Sequence, residues 1–276
     1  MKSYETITRK DINHVAIVTL NRPEVHNAFN TIMIEELTTI FKYLGNDTSI
    51  RAIVITGEGK SFSAGADIKY MQASKNFSYE ENYEDASRLE QLFNTIYLTP
   101  KPVIGRINGA AFGGGLGLIS VCDIVVAVKT AKMAFSEVNL GILPAVISPY
   151  VIPKIGFTNA ARFFLSGERF NAIKAHEIGL IHELVDGISE LDQKIADILD
   201  QLFTSSPAAM ASIKRLLVKN RDTEFQELRK YCISQIAELR TSDEGKEGLR
   251  AFLEKRPAEW NFSPWKGRDK IDDPTE

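Results

Sequence analysis

The chain has 276 residues, 44% of them hydrophobic and 25% charged, which is enough to bury one large core in an ordinary globular protein. Its 33 basic and 36 acidic residues leave a net charge of −3, so no overall positive field attracts nucleic acid or an anionic membrane. The first six residues lack the apolar segment of a secretory signal, and no apolar run approaches the length of a membrane span. We expect one main domain in the cytoplasm, without nucleic acid or membrane as partner.

The first part of the chain alternates apolar segments with a helical pattern. Residues 15–20 and 52–56 are predicted as buried strands. Between them, Asn30 is a candidate N-cap for a helix. Its apolar residues recur at helical spacing: Met33, Leu37, Ile40 and Leu44. A strand, a helix and a strand in this order predict a right-handed crossover and parallel pairing.

A second helix is predicted to begin at a capping box formed by Ser78 and Glu81 and to end before Pro100. Its apolar face carries Leu89, Leu92, Phe93 and Ile96. Residues 71–77, which precede it, are polar and are predicted as an irregular loop. Two interpretations stay open for this loop, a mobile cover over a binding site or a plain surface connection.

Residues 109–117 contain five glycines and lie between two predicted strands, residues 101–108 and 123–128. A glycine turn that leads from a strand into a short helix leaves free backbone N–H groups at the beginning of the helix. Because glycine has no Cβ, these groups can approach a bound negative oxygen, which would make the turn an anion site. Alternatively, the glycines only allow the helix to pack tightly against a sheet.

Several familiar sites are excluded by their motifs. Residues 59–61 match the end of a phosphate-binding P-loop, but Val54 stands where that motif needs its first glycine. The glycine run contains no G-x-G-x-x-G, and the four histidines have no metal-binding spacing, so neither a dinucleotide nor a metal site is predicted. Cys122 and Cys232 lie far apart in apolar surroundings and are expected to be buried, unreactive thiols of a reducing compartment.

Glu137 is the only acidic residue in the otherwise apolar segment of residues 133–144. A carboxylate in such surroundings is exposed at an edge, paired with another group, or shifted in pKa for use in chemistry. From the segment alone, an edge residue and a functional residue both remain open.

The last third of the chain is predicted to be helical. Three amphipathic patterns begin near residues 191, 207 and 225, and the third is predicted to be capped by Thr223. We place a soft boundary near residue 200, between a core of residues 1–200 and a helical packing or oligomerisation region of residues 201–276. The tail, residues 260–276, is rich in Pro, Asp and Lys and is predicted to be loose.

Three motifs follow one another in the chain: SAGADI at residues 63–68, GAAFGGG at residues 109–115 and FSEVNLG at residues 135–141. Their order and spacing resemble the crotonase family, also called the enoyl-CoA hydratase/isomerase family. The resemblance implies an α/β fold, a spiral of ββα units followed by a C-terminal helical region that forms trimers. It also implies a homotrimer or a hexamer of paired trimers, and an acyl-CoA thioester as substrate, with no prosthetic group and no metal.

By the same resemblance, the backbone N–H groups of Ala66 and Gly114 hold the thioester oxygen, and Glu137 is the catalytic acid and base. The coenzyme A portion would pass Val25, Ala64, Asp67 and Ile68, with Lys60 and Lys69 near its phosphates and Phe252 and Lys255 arriving from a neighbouring subunit. Glu24 stands where some relatives have a phosphate-binding lysine, which speaks against that contact here.

The chain departs from the family at one catalytic position. Typical hydratases of the family use two glutamates, and those positions are Gly117 and Glu137 here. A mechanism in which two carboxylates share one water therefore lacks its usual pair. Glu90, on the preceding predicted helix, is a candidate replacement that the sequence cannot place.

The detailed pattern is most similar to bacterial methylglutaconyl-CoA hydratases of leucine and acyclic terpene breakdown, which also carry glycine at this position. We therefore expect a lyase that adds water to an α,β-unsaturated acyl-CoA, with methylglutaconyl-CoA as a candidate substrate. Three alternatives remain open. They are a double-bond isomerase or a decarboxylase that uses one glutamate, and a CoA-binding protein that has lost turnover.

Overall fold

A computed structural model describes residues 4–267, with the side chains of Ala73 and Asp222 left aside. The strands, in chain order, are β1 (Ile7–Ile12), β2 (Val15–Leu20), β3 (Ala52–Gly57), β4 (Ser61–Ser63), β5 (Val103–Ile107), β6 (Ala110–Phe112), β7 (Ile124–Val128), β8 (Lys132–Ala134), β9 (Phe170–Asn171) and β10 (Glu183–Val185). The helices are α1 (Thr31–Asn46), α2 (Ile68–Ser74), α3 (Tyr79–Leu98), α4 (Gly114–Val121), α5 (Ser148–Ser166), α6 (Ala172–Glu177), α7 (Ile188–Leu202), α8 (Pro207–Asp222), α9 (Phe225–Thr241) and α10 (Asp243–Leu253).

The strands form two sheets, and from β3 to β8 successive strands belong to the larger and the smaller sheet in turn. The larger sheet has the order β1-β2-β3-β5-β7-β10, and the smaller one has the order β4-β6-β8-β9. Thus β3, β5 and β7 each enter the larger sheet, and the strand that follows each of them enters the smaller sheet before the chain turns into a helix. The predicted parallel pairing is confirmed in the larger sheet for β2, β3, β5, β7 and β10, while β1 is antiparallel to β2. In the smaller sheet β4, β6 and β8 are parallel, and β9 is antiparallel to β8.

Local sequence explains where the helices around the sheets begin. The side chain of Asn30 accepts a hydrogen bond from the Met33 backbone N–H at 2.9 Å, so the predicted cap of α1 is confirmed. The capping box of α3 is also confirmed, since Ser78 accepts from the Glu81 N–H and Glu81 accepts from the Ser78 N–H. The apolar faces of both helices are buried in the hydrophobic core, where α1 and α3 pack against each other.

Three local predictions were wrong. The loop predicted over residues 71–77 was wrong for residues 71–74, which belong to α2, because Asp67 accepts a hydrogen bond from the Lys69 N–H at 2.8 Å and starts a helical turn. Residues 75–77 lie outside helices and strands, as predicted. Thr223 is the C-cap of α8 rather than an N-cap, and α9 follows Glu224 without a side-chain cap. Cys232 is half-buried, whereas Cys122 is buried as predicted.

The prediction of a loose tail was wrong for the part of it that is described. The indole of Trp265 is buried and donates to the Asn13 carbonyl at 3.0 Å, and the indole of Trp260 donates to the Thr204 carbonyl at 3.2 Å. Arg51 also donates to the Trp260 carbonyl, so the segment is fastened to the core. The remainder of the predicted tail, residues 268–276, lies outside the described residues.

Two findings concern the described residues as a group. Within residues 4–267, no helix combines the length and the apolar character needed to cross a membrane. The same part of the chain has no cluster of three or more His, Cys, Asp and Glu side chains suited to a metal ion. The division near residue 200 falls close to the end of α7 at Leu202 and remains a proposal.

Candidate active site

Two backbone N–H groups open onto the same cavity from different parts of the chain. Ala66 follows β4, and it pairs with Phe29 in an isolated parallel bridge. The bonds of that bridge use the carbonyl of Gly65 and the N–H of Asp67, at 2.6 and 2.9 Å, which leaves the Ala66 N–H without an acceptor among the described residues. Gly114 is the first residue of α4, so its N–H has no partner inside the helix, and the described part of the chain offers none outside it.

The cavity has a volume of about 200 Å³. Its wall is mainly apolar, and the segment that follows Glu137 supplies much of it. The lining residues are Phe29, Ile34, Ala66, Tyr70, Asp85, Leu89, Gly114, Glu137, Ile142, Leu143, Pro144, Ala145, Val146 and Ile147. The structure therefore brings Ala66, Gly114 and Glu137 together, although they are separated by up to 71 residues in the chain.

Glu137 enters this cavity from a short 3-10 helix, Glu137–Leu140, that follows β8. Its side chain is half-buried, and its Oε2 atom is buried without a hydrogen-bond partner among the described residues. Burial raises the pKa of the Glu137 carboxyl, because desolvation disfavours its charged form. A carboxyl with a raised pKa and an unpaired oxygen in an apolar cavity is suited to accept and return a proton.

Gly113 allows this carboxyl to lie close to the turn. Its φ of +48° and ψ of −118° form a conformation that residues with a Cβ rarely adopt. A methyl group on Gly113 would also lie 3.3 Å from Oε1 of Glu137. The absence of a side chain here thus brings the carboxyl beside the beginning of α4, next to the free N–H of Gly114.

The space beside Gly117 is filled by other side chains. A Cβ at this position would lie 2.4 Å from Cγ2 of Ile147 and 2.6 Å from Cζ of Phe93. Both side chains are buried, and Ile147 also lines the cavity. Position 117 therefore lacks a carboxylate and also lacks room for one.

Most residues predicted to pass the coenzyme A portion lie on two adjoining segments at the edge of the cavity. Ala64 donates its N–H to the His26 carbonyl at 2.9 Å, and Arg22 pairs with Asp67 at 2.8 Å. These contacts fasten residues 22–29 to residues 60–69. Val25, Ala64, Asp67, Ile68 and Lys69 are thereby brought onto adjoining stretches of the chain, with Lys60 on the same second segment.

The side chains on these segments have different surroundings. The Asp67 side chain is buried, paired with Arg22 and bonded to the Lys69 N–H, so it holds the segments together. Ile68 is 72% exposed, and Lys60 and Lys69 are exposed as well. Phe252 and Lys255 lie at and just beyond the end of α10, and neither lines the cavity of its own chain.

Sequence reasoning missed two polar groups in the cavity, Asp85 on α3 and Tyr70 on α2. Asp85 stands four residues before Leu89, on the apolar face of α3, and a carboxylate on such a face was the available signal. Glu90 does not replace the missing carboxylate in the cavity. It is exposed outside the lining and accepts a hydrogen bond from the Tyr150 hydroxyl at 3.0 Å.

Known proteins show the same chain organisation. The family model described as enoyl-CoA hydratase/isomerase matches residues 10–263. A putative enoyl-CoA hydratase of Thermus thermophilus is 33% identical over 244 residues, covering 88% of this chain and 96% of that protein. A probable enoyl-CoA hydratase of Bacillus subtilis is 35% identical over 243 residues, covering 88% of this chain and 93% of its own.

Solved structures agree with these relatives. An enoyl-CoA hydratase of Shewanella pealeana is 38% identical with a TM-score of 0.89, and the match covers 93% of this chain and 96% of that one. AtuE of Pseudomonas aeruginosa is 34% identical with a TM-score of 0.91, covering 93% of this chain and 100% of its own. The predicted fold class, a crotonase-like α/β spiral with helices at its C-terminal end, is confirmed by these matches and by the alternating sheets.

Proposed function

Because the chain is an enzyme of the enoyl-CoA hydratase/isomerase family, we propose that it adds water to the double bond of an α,β-unsaturated acyl-CoA. One observation carries this proposal: a Glu137 carboxyl whose Oε2 atom is buried without a partner shares a cavity with two backbone N–H groups that have no acceptor among the described residues. The substrate is the thioester of coenzyme A. No prosthetic group takes part in the proposed chemistry.

In this proposal the N–H groups of Ala66 and Gly114 bind the thioester oxygen. Addition of water at the β-carbon moves negative charge onto that oxygen, so fixed donors stabilise the enolate more than the substrate. Loss of one such donor raises the barrier by about 3 kcal/mol. Both donors belong to the main chain, and their positions depend on the Phe29–Ala66 bridge and on the beginning of α4.

Glu137 handles the proton in both halves of the reaction. Its carboxylate accepts a proton from water as the water oxygen bonds to the β-carbon, and it then returns that proton to the α-carbon of the enolate. One water thus supplies both the hydroxyl and the hydrogen, and the carboxylate is regenerated. The scheme needs no side chain at Gly117, in agreement with the filled space there.

The proposal is tested by incubating the protein with several enoyl-CoA thioesters, including crotonyl-CoA and methylglutaconyl-CoA, and measuring product masses. We expect a gain of one water, with one solvent deuterium at the α-carbon in heavy water and one solvent oxygen at the β-carbon in oxygen-labelled water. A shifted double bond without added oxygen would instead identify an isomerase, and released carbon dioxide a decarboxylase. Binding without any product would identify a CoA-binding protein.

Methylglutaconyl-CoA is the narrower substrate predicted from the sequence, and it has less support than the reaction itself. Its acyl group ends in a carboxylate, whereas the lining of the cavity has two acidic side chains and, among the described residues, no basic one. We therefore keep it as a test substrate and propose the general reaction. The leucine pathway and the cytoplasm likewise remain predictions.

We further propose a homotrimer or a hexamer of paired trimers, with residues 201–276 as the region that joins the subunits. Large apolar side chains on the surface of α9 and α10 support this, since contiguous exposed apolar surface marks interaction sites. These side chains are Ile233, Ile236, Leu249, Phe252 and Leu253. Light scattering at micromolar concentration should show an oligomer, and a fully active monomer would contradict both parts of this proposal.

A further inference from the structure

Asp85 and Tyr70 form a polar pair inside an otherwise apolar part of the cavity. Both residues line it, and the Tyr70 hydroxyl donates a hydrogen bond to Oδ1 of Asp85. Each comes from the helical segment between β4 and β5, Tyr70 from α2 and Asp85 from α3. Ala66, Gly114 and Glu137 lie on other elements, so the proposed chemistry has no assigned use for this pair.

The charges around Asp85 make this end of the cavity unfavourable for an anion. Of the described residues that line the cavity, Asp85 and Glu137 are acidic and none is basic. Arg88, a cation whose charge acts on Asp85, lies half-exposed on the same helix and pairs with Glu84 at 3.6 Å. Burial raises the pKa of Asp85, because part of its hydration is lost.

Tyr70 fixes the direction of the Asp85 carboxyl. A donated hydroxyl bond stabilises a carboxylate and occupies one of its oxygens. Among the described residues, the other oxygen of Asp85 has no hydrogen-bond partner, so it is available to face the acyl group. A carboxylate at the end of a substrate's acyl group would lose its hydration beside Asp85 and meet a like charge without a compensating donor.

We propose that Asp85, held by Tyr70, makes the enzyme selective for acyl groups with an uncharged end and excludes acyl groups that end in a carboxylate. This inference rests on the proposed acyl-CoA function and names the substrate class within it. It assigns Asp85 to specificity and leaves proton transfer to Glu137. Discrimination of this kind comes from a repulsive contact with the wrong substrate.

The test compares two saturated thioesters that cannot react, pentanoyl-CoA and glutaryl-CoA. Each has a five-carbon acyl group, and they differ in a terminal methyl or carboxylate. Calorimetry on the unmodified protein should give a dissociation constant for glutaryl-CoA at least roughly tenfold higher than that for pentanoyl-CoA. Equal affinities, or tighter binding of glutaryl-CoA, would overturn the inference without any variant.

The matched variants are Asp85→Asn and Glu84→Gln. Both remove one negative charge from the same turn of α3, but Glu84 is 71% exposed and lies outside the cavity lining. Asp85→Asn should bring the ratio of the two dissociation constants towards one and leave pentanoyl-CoA binding within about threefold of the parent, whereas Glu84→Gln should leave the ratio unchanged. An unchanged ratio in Asp85→Asn, or equal weakening of both ligands, would show that Asp85 has only a structural role.

Failure of this inference can be told apart from failure of the proposed function. If neither thioester binds, the acyl-CoA function is wrong and this inference falls with it. If both bind equally and water is still added to crotonyl-CoA, the function stands and only the role of Asp85 is overturned.

Discussion

Gly117→Ala tests whether the space of the missing second carboxylate is closed. In an ordinary helix this change favours folding by about 1 kcal/mol, since glycine is the poorer helix former. Here the new methyl carbon would lie 2.4 Å from Cγ2 of Ile147 and 2.6 Å from Cζ of Phe93, so buried side chains must move. Overpacking of a core costs about 1–3 kcal/mol, and at these separations the upper part of that range applies. After the gain of about 1 kcal/mol in helix propensity is subtracted, the free energy of unfolding should fall by about 1–2 kcal/mol.

The assay is thermal unfolding, with Gly45→Ala as the control. Gly45 also lies in a helix, but a Cβ there meets only Cδ of Pro100 at an ordinary 3.5 Å. We expect Tm to fall by roughly 2–8 °C in Gly117→Ala and to stay level or rise in Gly45→Ala. The loss should shrink in an Ile147→Ala background, because Cγ2 is then absent. An unchanged or higher Tm in Gly117→Ala would refute the conclusion that position 117 lacks room for a carboxylate side chain.

Three further outcomes follow from the site. Glu137→Gln should lower turnover by roughly two to four orders of magnitude while acyl-CoA binding persists. Because an ionised buried carboxyl with a raised pKa costs stability, the same variant should raise Tm at neutral pH but not at a pH below the pKa of an unfolded glutamate. Near-parental turnover or a lower Tm at neutral pH would contradict this. Because the pKa of Glu137 is raised, kcat/KM of the parent should fall on acidification with its midpoint at a pH above about 4.3, the ordinary pKa of glutamate. A midpoint at or below that pH would argue against Glu137 as the base. At Gly114 an added Cβ would lie 2.9 Å from Cε2 of Phe29, so a larger side chain should obstruct the N–H donor more. We therefore expect Gly114→Val to abolish turnover and Gly114→Ala to reduce it less. A folded valine variant with parental turnover in a product assay would disprove the oxyanion assignment.

The larger elements could be predicted from the sequence because their signals are local. The strands at residues 15–20 and 52–56, the cap at Asn30 and the capping box at Ser78 depend on neighbouring residues, and all are confirmed. The helix at residues 68–74 was missed because its start depends on Asp67. That carboxyl is held by Arg22, which is 45 residues earlier in the chain.

The site could be predicted only in part for a similar reason. Motifs identified Ala66, Gly114 and Glu137, which the fold brings to one cavity. They gave no sign that Ile147 and Phe93 occupy the space beside Gly117, since packing between distant segments leaves no mark in a motif. The sequence shows that Asp85 stands on the apolar face of a predicted helix. It does not show the hydrogen bond from Tyr70, because that contact joins two separate helices.

The main-chain origin of the two proposed oxyanion donors has a consequence for how this enzyme can change over generations. Every amino acid except proline carries a backbone N–H, so among the possible replacements at Ala66 or Gly114 only proline deletes a donor, while any other side chain can only obstruct it. The groups proposed here to distinguish one acyl chain from another, Asp85 and Tyr70, are instead side chains, and they belong to helices outside both sheets. Descendants of this chain can therefore exchange substrates through a few replacements in α2 and α3 while the means of stabilising an enolate is inherited intact.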